Sequence, residues 1–430
     1  MESGINGHGW EVINMAMLSG EWAALDMEKI ENSHQNLADP SRGTNQTGIK
    51  LYNERLVLSL VRAHGSLSKG EIARLTGLSA QASSVIMTQL ENDGLLLRGE
   101  PQRGKVGQPS VPMSLNPEGA FSIGVKVGRR SAQIVLMDMA GQQRHSLEQN
   151  YAYPTPQLLT EFVDKGINEI IDNMTRLQFS RVRGIGIAVP SEMWSWEEEV
   201  GAPHDVVEAW KDFDLARTLE ILFKLPVHSY NDATAACAGE IAFGAGRNYP
   251  DFLYVFFATL IGGGVVLDGS LYPGRRGYAG SIGSTLVPSP IAGQTPKQLI
   301  QCASIYLLER MIKEEGGDPT VVWHKSDDWS HLGPVLDRWI EQATDSLAFA
   351  VVSAISIIDF HYVVIDGGFP AHVRSKVAER TREKMANMNM QGVAPVEIVE
   401  GQTGSDARVL GAASLPLLAE YARDRDILFS

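Results

Sequence analysis

The sequence predicts the α/β class: a small helical module with a wing, followed by a larger α/β body in two lobes. Three observations predict it. Residues 46–94 carry three short helical patterns separated by glycine stops, and from Phe121 onward short β-rich runs alternate with helical ones. Two glycine-marked strand pairs also recur about 135 residues apart, as expected of two related lobes around a cleft. At 430 residues the chain exceeds what one core holds. It divides into an N-terminal arm over 1–45 expected to be disordered, the helical module over 46–115, and the body over 116–430.

Composition sets the class of partner. With 44% apolar and 20% charged residues the chain reads as an ordinary soluble protein. No apolar run approaches 18 residues, so no membrane span is expected. The first residues lack the basic start and apolar core of a signal peptide, which points to the cytoplasm. Cys237 and Cys302 stand far apart in apolar surroundings, as buried thiols of a reducing compartment rather than a metal cluster. A net charge of −14 excludes a protein that coats nucleic acid with a basic surface. Residues 46–115 nevertheless carry +3, a local basic module suited to compact, specific DNA contact.

The module explains that charge. "IKLYNERLVLSLVRAHG" places Leu51, Leu56, Leu60 and Val61 at helical spacing and stops at Gly65. Ser68 with Glu71 three residues on makes a capping box for a second helix ending at Gly77. Ser79 caps a third, "AQASSVIMTQLEND", separated from the second by the short turn "TGLS" of a helix-turn-helix. Ser83, Ile86, Met87 and Leu90 form its inner face, leaving Gln81, Ala82, Ser84, Val85 and Thr88 toward DNA beside Ser79. Gln pairs bidentately with adenine, while Ala, Val and the Thr methyl suit thymine methyls. "LLLRGEPQRGKVGQPSVPMSL" follows as strand, basic loop and strand, a wing with Arg103 and Lys105 at its tip. The competing reading is a three-helix module that mediates assembly and touches no DNA.

In the body, "IGVKVG" follows the wing, and "GIGIAVP", "HSYNDATAACAGEIAFGAG", "GGGVVLDGSLYPGRRGYAGSIGS", "VIDGGF" and "GAASLPLLAE" follow in order. This series resembles the ROK family of repressors, open reading frames and sugar kinases, over residues 48–420 with the winged helix included. The resemblance implies an actin-like (ribonuclease H-like), sugar-kinase-type body in two lobes behind the winged helix-turn-helix.

Position by position, the resemblance implies a changed site. Lys126 stands where a ROK kinase has Asp, and Arg129–Arg130 where it has the Gly–Thr of its phosphate hairpin. The second phosphate loop, Gly-Thr-Gly-Ile-Gly in kinases, reads Ala258-Thr259-Leu260-Ile261-Gly262, so side chains stand where backbone approach is needed. Asn231–Asp232 match the family pair in which Asn holds a sugar hydroxyl and Asp is the base in kinases; alone, the pair equally suits a helix N-cap. Ser281 and Ser284 replace the Glu and His of Glu-x-Gly-His, and Ile300 the sugar-binding Glu before Ser304. The zinc loop of the family has no ligand set here, so neither metal nor other cofactor is expected. Ser191, Glu192 and Trp194, with Trp196, form a loop at the cleft mouth that closes over a sugar or makes an oligomer contact. Gln108 occupies the place of the arginine in the Gly-Arg-Pro that often follows the wing.

The expected function is a transcriptional regulator, a repressor of carbohydrate-utilisation genes, that has lost catalysis and senses a monosaccharide. Its expected partners are palindromic operator half-sites, the sugar, and further copies in a homodimer or homotetramer. The alternative is a bifunctional ATP-dependent sugar kinase with Asp232 as base.

Overall fold

The glycine stops and caps read from the sequence set the boundaries of the helical module. The computed structural model describes residues 46–102, 110–190, 193, 202–289, 293–323 and 328–423. The arm over 1–45, the wing residues Arg103, Lys105 and Gln108, and the loop residues Ser191, Glu192, Trp194 and Trp196 lie outside the described residues.

Helix α1 (Gln46–His64) buries Val57, Leu58 and Val61. The expected stripe of Leu51, Leu56, Leu60 and Val61 is corrected here, for Leu51 is 38% exposed. The reason is tertiary. The C-terminal half of α1 shares one core with the module and with Leu417 and Tyr421 of the last helix, so burial centres on that half. Strand β1 (Ser66–Ser68), too short for a periodic signal, precedes α2 (Lys69–Thr76), whose capping box at Ser68 and Glu71 is formed on both sides. Gly77 takes φ 71°, a left-handed turn that glycine allows without strain. Helix α3 (Ala80–Asn92) is capped by Ser79 and buries Ser83, Ile86, Met87 and Leu90, as its spacing predicts. Strands β2 (Leu96–Arg98) and β3 (Pro112–Leu115) complete a three-stranded sheet in the order β1-β3-β2.

The body repeats one topology twice. In the first lobe β4 (Phe121–Val127), β5 (Ser131–Asp138), β6 (Gln143–Asn150), β7 (Val182–Val189) and β8 (Val227–Asn231) are ordered β6-β5-β4-β7-β8. The first three are antiparallel, and β7 and β8 join in parallel. Helices α4 (Pro156–Asp172), α5 (Arg176–Ser180), α6 (His204–Glu208) and α7 (Leu215–Phe223) supply the crossovers that parallel strands require. Helix α8 (Asp232–Phe243) then leads to the second lobe. There β9 (Phe252–Phe257), β10 (Gly262–Leu267), β11 (Ser270–Leu271), β14 (Tyr362–Gly367) and β15 (Glu397–Glu400) are ordered β11-β10-β9-β14-β15, with matching directions. The two-stranded β12 (Leu286–Val287) and β13 (Lys297–Gln298), then α9 (Ile300–Ala303), α10 (Ile305–Glu314), α11 (Pro334–Ile355) and α12 (Ala371–Ala386), fill out that lobe, and α13 (Ala407–Tyr421) ends the described chain.

Helices α8 and α13 cross between the lobes. A Cβ at Gly411 would strike the Ala235 carbonyl, and one at Gly264 would lie 2.6 Å from Cys237 Cβ. The small residues therefore let α8 lie directly on α13 on one side and on β10 on the other. Pro416 lies inside α13, where it supplies no N–H to the Ala412 carbonyl, and the neighbouring Ala413 carbonyl accepts from the Ser122 hydroxyl on β4. The lobes thus meet through two packed helices, and α13 also shares a core with the winged helix.

Candidate DNA-binding surface and sensor cleft

On α3 the structure divides the expected DNA face in two. Gln81 and Val85 point to solvent, Val85 at 63% exposure. Ala82, Ser84 and Thr88 are half-buried. Lys69 Nζ on α2 donates to Ser84 Oγ at 3.2 Å and Thr88 Oγ1 at 2.9 Å, so those hydroxyls fix the angle between the two helices. Ser79 uses its hydroxyl to accept from the Ala82 N–H at 3.1 Å. Arg98, at the start of the wing, is paired with Glu91 at 2.8 Å, leaving its charge largely neutralised.

The β4–β5 hairpin is held from within. The Gly128 N–H donates to the Ser131 carbonyl at 2.9 Å, and Lys126 Nζ donates to Ser131 Oγ at 3.0 Å. The Tyr151 hydroxyl donates to the Gly128 carbonyl at 2.6 Å, and Arg130 donates to the Ala152 carbonyl. Burial pushes the Tyr151 phenol up, and the Arg408 charge offsets part of that rise. Burial and then the neighbouring Arg129 charge hold Arg130 below the usual arginine value.

From the hairpin tip Arg129 crosses to the second lobe, where its guanidinium donates to both oxygens of Glu309 on α10, at 3.0 and 2.9 Å. Trp323 stands against both arginines, its ring centroid 5.9 Å from Arg129 Cζ and 4.5 Å from Arg130 Cζ. Helix α10 itself seals the second loop. The Ile305 and Tyr306 N–H groups donate to the carbonyls of Ala258 and Thr259 at 3.1 and 3.2 Å, and Ile261 N–H donates to Ser304 Oγ at 2.9 Å. The loop backbone is thus engaged with protein, and cations occupy the first hairpin.

Asn231 caps α8, its Oδ1 accepting from the Ala233 N–H at 3.0 Å. That bond is the one expected of a helix N-cap. Asp232 opens the helix and faces Arg408 at 3.4 Å, with side-chain exposures of 15% and 19%. Arg408 Cζ lies 5.7 Å from the Phe256 ring centroid. Ser281 and Ser284 are exposed, and the Ser281 hydroxyl donates to the Tyr278 carbonyl at 2.8 Å. Among the described residues no hydrogen bond joins either serine to Asp232. Three residues of the cleft escaped the sequence reading: Glu309, Trp323 and Arg408. Nothing in their spacing marks them, since they are defined by residues they meet across the fold.

The family comparison rests on this body. Residues 122–418 match the ROK family model, and residues 51–96 match a winged helix-turn-helix DNA-binding model. The chain belongs to the ROK family. A xylose repressor of Bacillus spizizenii is 25% identical over 396 residues, covering 86% of this chain and 96% of the relative. Among solved structures, a ROK family transcriptional regulator described as a homolog of the E. coli MLC protein covers 89% of this chain and 98% of its own, with TM-score 0.60 and 18% identity. A ROK family glucokinase from Streptomyces griseus, solved with glucose and AMPPNP, covers 69% of this chain and 99% of its own, with TM-score 0.52 and 20% identity. The ROK body thus carries the actin-like, sugar-kinase-type fold, and the winged helix stands ahead of it. No described helix is long and apolar enough to cross a membrane.

Proposed function

We propose that this ROK protein is a DNA-binding transcriptional repressor whose body senses a monosaccharide in the cytoplasm and no longer phosphorylates it. One observation carries the reading. The chain that presents Gln81 and Val85 outward from a winged helix also ties its phosphate hairpin to the opposite lobe through Arg129 and Glu309. A kinase needs that hairpin open to phosphate oxygens and a carboxylate there to organise a metal. Here Lys126 takes the carboxylate's place. The similarity to a xylose repressor supports the reading and makes pentoses the first sugars to test.

In this mechanism Asn231 and Asp232 hold sugar hydroxyls, with Ser281 and Ser284 as further hydroxyl partners; Ser191, Glu192 and Trp194, assigned to the sugar from the sequence, lie outside the described residues. A carboxylate accepting two hydroxyls binds strongly without catalysing anything. Sugar competes with Arg408 for Asp232, and the cleft changes angle about the α8–α13 crossing. Because Leu417 and Tyr421 of α13 share a core with Val57, Leu58 and Val61 of α1, that change reaches the winged helix directly. In a homodimer it moves the paired recognition helices out of register with half-sites one helical turn apart. A differential sugar affinity of about 1–3 kcal/mol between the two states suffices for a useful switch.

The experiment is a gel shift of the full chain on DNA upstream of its own gene, with and without monosaccharides. A shift at low salt that one sugar reverses is expected. No shift under any of these conditions sinks the reading.

A further inference from the structure

A cavity of about 400 Å³, with apolar walls and a few polar groups, lies at the joint between the winged helix and the body, away from the cleft. Five segments of the chain build it. Arg62 and His64 come from the end of α1, and Ser114 from β3. Gly141 comes from the β5–β6 turn, Arg247 from the segment after α8, and Ser414 from α13. Its size lies within the range of small-molecule sites, roughly 300–1,000 Å³. Among the described lining residues there is no carboxylate.

The two arginines are poorly served by the protein. Arg247 donates from Nε to the Ala242 carbonyl at 3.3 Å, while Arg62 makes no hydrogen bond or ion pair among the described residues. Burial, and then the charge of Arg247, push the Arg62 guanidinium down to about 10, so it remains cationic at neutral pH. Arg62 is half-buried and Arg247 exposed, so an anion entering the cavity meets two cations and no competing carboxylate among the described lining residues. The planar guanidinium fork matches the spacing of phosphate oxygens, and two forks match a dianion.

We propose that this cavity is an oxyanion site, for inorganic phosphate or a phosphate monoester, that joins the winged helix through Arg62 to the body through Arg247. The anion bridges the two units and restrains their relative angle. The site is separate from the sugar cleft, whose cations are Lys126, Arg129, Arg130 and Arg408.

The test is calorimetric titration of the full chain with inorganic phosphate and with glycerol 3-phosphate, at constant ionic strength set by chloride. Saturable binding of at least one probe, at one per chain, is expected. The tighter of the two distinguishes free phosphate from a monoester. Arg62→Gln and Arg247→Gln should each weaken binding at least tenfold, and Arg62→Lys, which keeps the charge and loses the fork, less so. Phosphate should also slow amide exchange in 58–65 and 242–249 together. The proposal is overturned if neither probe binds saturably, or if the Arg62 and Arg247 variants bind as the parent does. It is equally overturned if Lys126→Gln or Arg408→Gln abolishes binding while those variants keep it, for the anion then sits in the cleft.

Discussion

Arg129 and Glu309 join the two lobes of the body through two charge-assisted hydrogen bonds of 3.0 and 2.9 Å, with only 13% and 11% of their side chains exposed. An exposed ion pair contributes little, but removing one partner of a buried pair leaves the other charge stranded. In this protein the stranded charge would lie between the lobes, where a nucleotide's phosphates lie in a working sugar kinase.

Glu309→Ala should therefore destabilise the closed arrangement by about 3 kcal/mol, the lower end of the buried-pair range. Arg129→Ala should cost a similar amount, and the double variant little more than either. A double-mutant cycle by urea unfolding measures the coupling, and small-angle scattering should show a larger radius of gyration for each single variant. Additive costs would mean that the two residues act independently.

The proposed mechanism makes sensing depend on Asp232. Asp232→Asn should weaken sugar binding by about 1.5–3 kcal/mol, the range for a charged hydrogen bond, which is more than tenfold in affinity. Arg408→Ala should instead strengthen it, because the sugar no longer displaces a guanidinium. Titration calorimetry with the sugar found by screening reads both. Equal affinities in parent and Asp232→Asn would remove Asp232 from the site.

The DNA surface makes a contrast of a different kind. Gln81→Ala should relax the preference at one base pair by about 1–3 kcal/mol and leave other positions unchanged. Lys105→Ala should weaken all sequences alike and reduce the salt slope by about 1. Fluorescence anisotropy on single-base operator variants at several salt concentrations separates the two. If both substitutions act identically, the groove assignment fails.

Acid should loosen the helix-turn-helix first at α2. The Ser68 backbone N–H and hydroxyl both bond Glu71 and hold its carboxyl below its ordinary value of 4.5. A lowered folded-state value means that the stabilisation is present above 4.5 and is lost as pH falls through the folded value. Amide exchange in 69–76 should accelerate over that window in the parent, and Glu71→Ala should remove the dependence. An unchanged profile in Glu71→Ala would assign the acid sensitivity elsewhere.

Much of this was legible from local pattern. The inner face of α3 follows from the spacing of Ser83, Ile86, Met87 and Leu90, and the capping box from Ser68 and Glu71. Periodicity misplaced the buried stripe of α1, because the body decides which half of that helix is covered. Lys126, Arg129 and Arg130 marked the hairpin as changed, yet their partners were invisible. Arg129 and Glu309 are 180 residues apart in the chain, and only the folded cleft makes them neighbours. Arg408 was hidden in the same way, since no local rule pairs a residue at the start of the last helix with Asp232.

The most direct test of the central claim is one titration. Fluorescence anisotropy of DNA from upstream of the gene would be followed against protein, with and without each of a panel of monosaccharides, beginning with xylose, and the same mixtures with ATP would be assayed for sugar phosphate. The account predicts DNA binding that one sugar shifts at least fivefold, matching about 1 kcal/mol of coupling, with no phosphorylated product. DNA affinity indifferent to every sugar, or ATP-dependent phosphorylation of a sugar that Asp232→Asn abolishes, would contradict it.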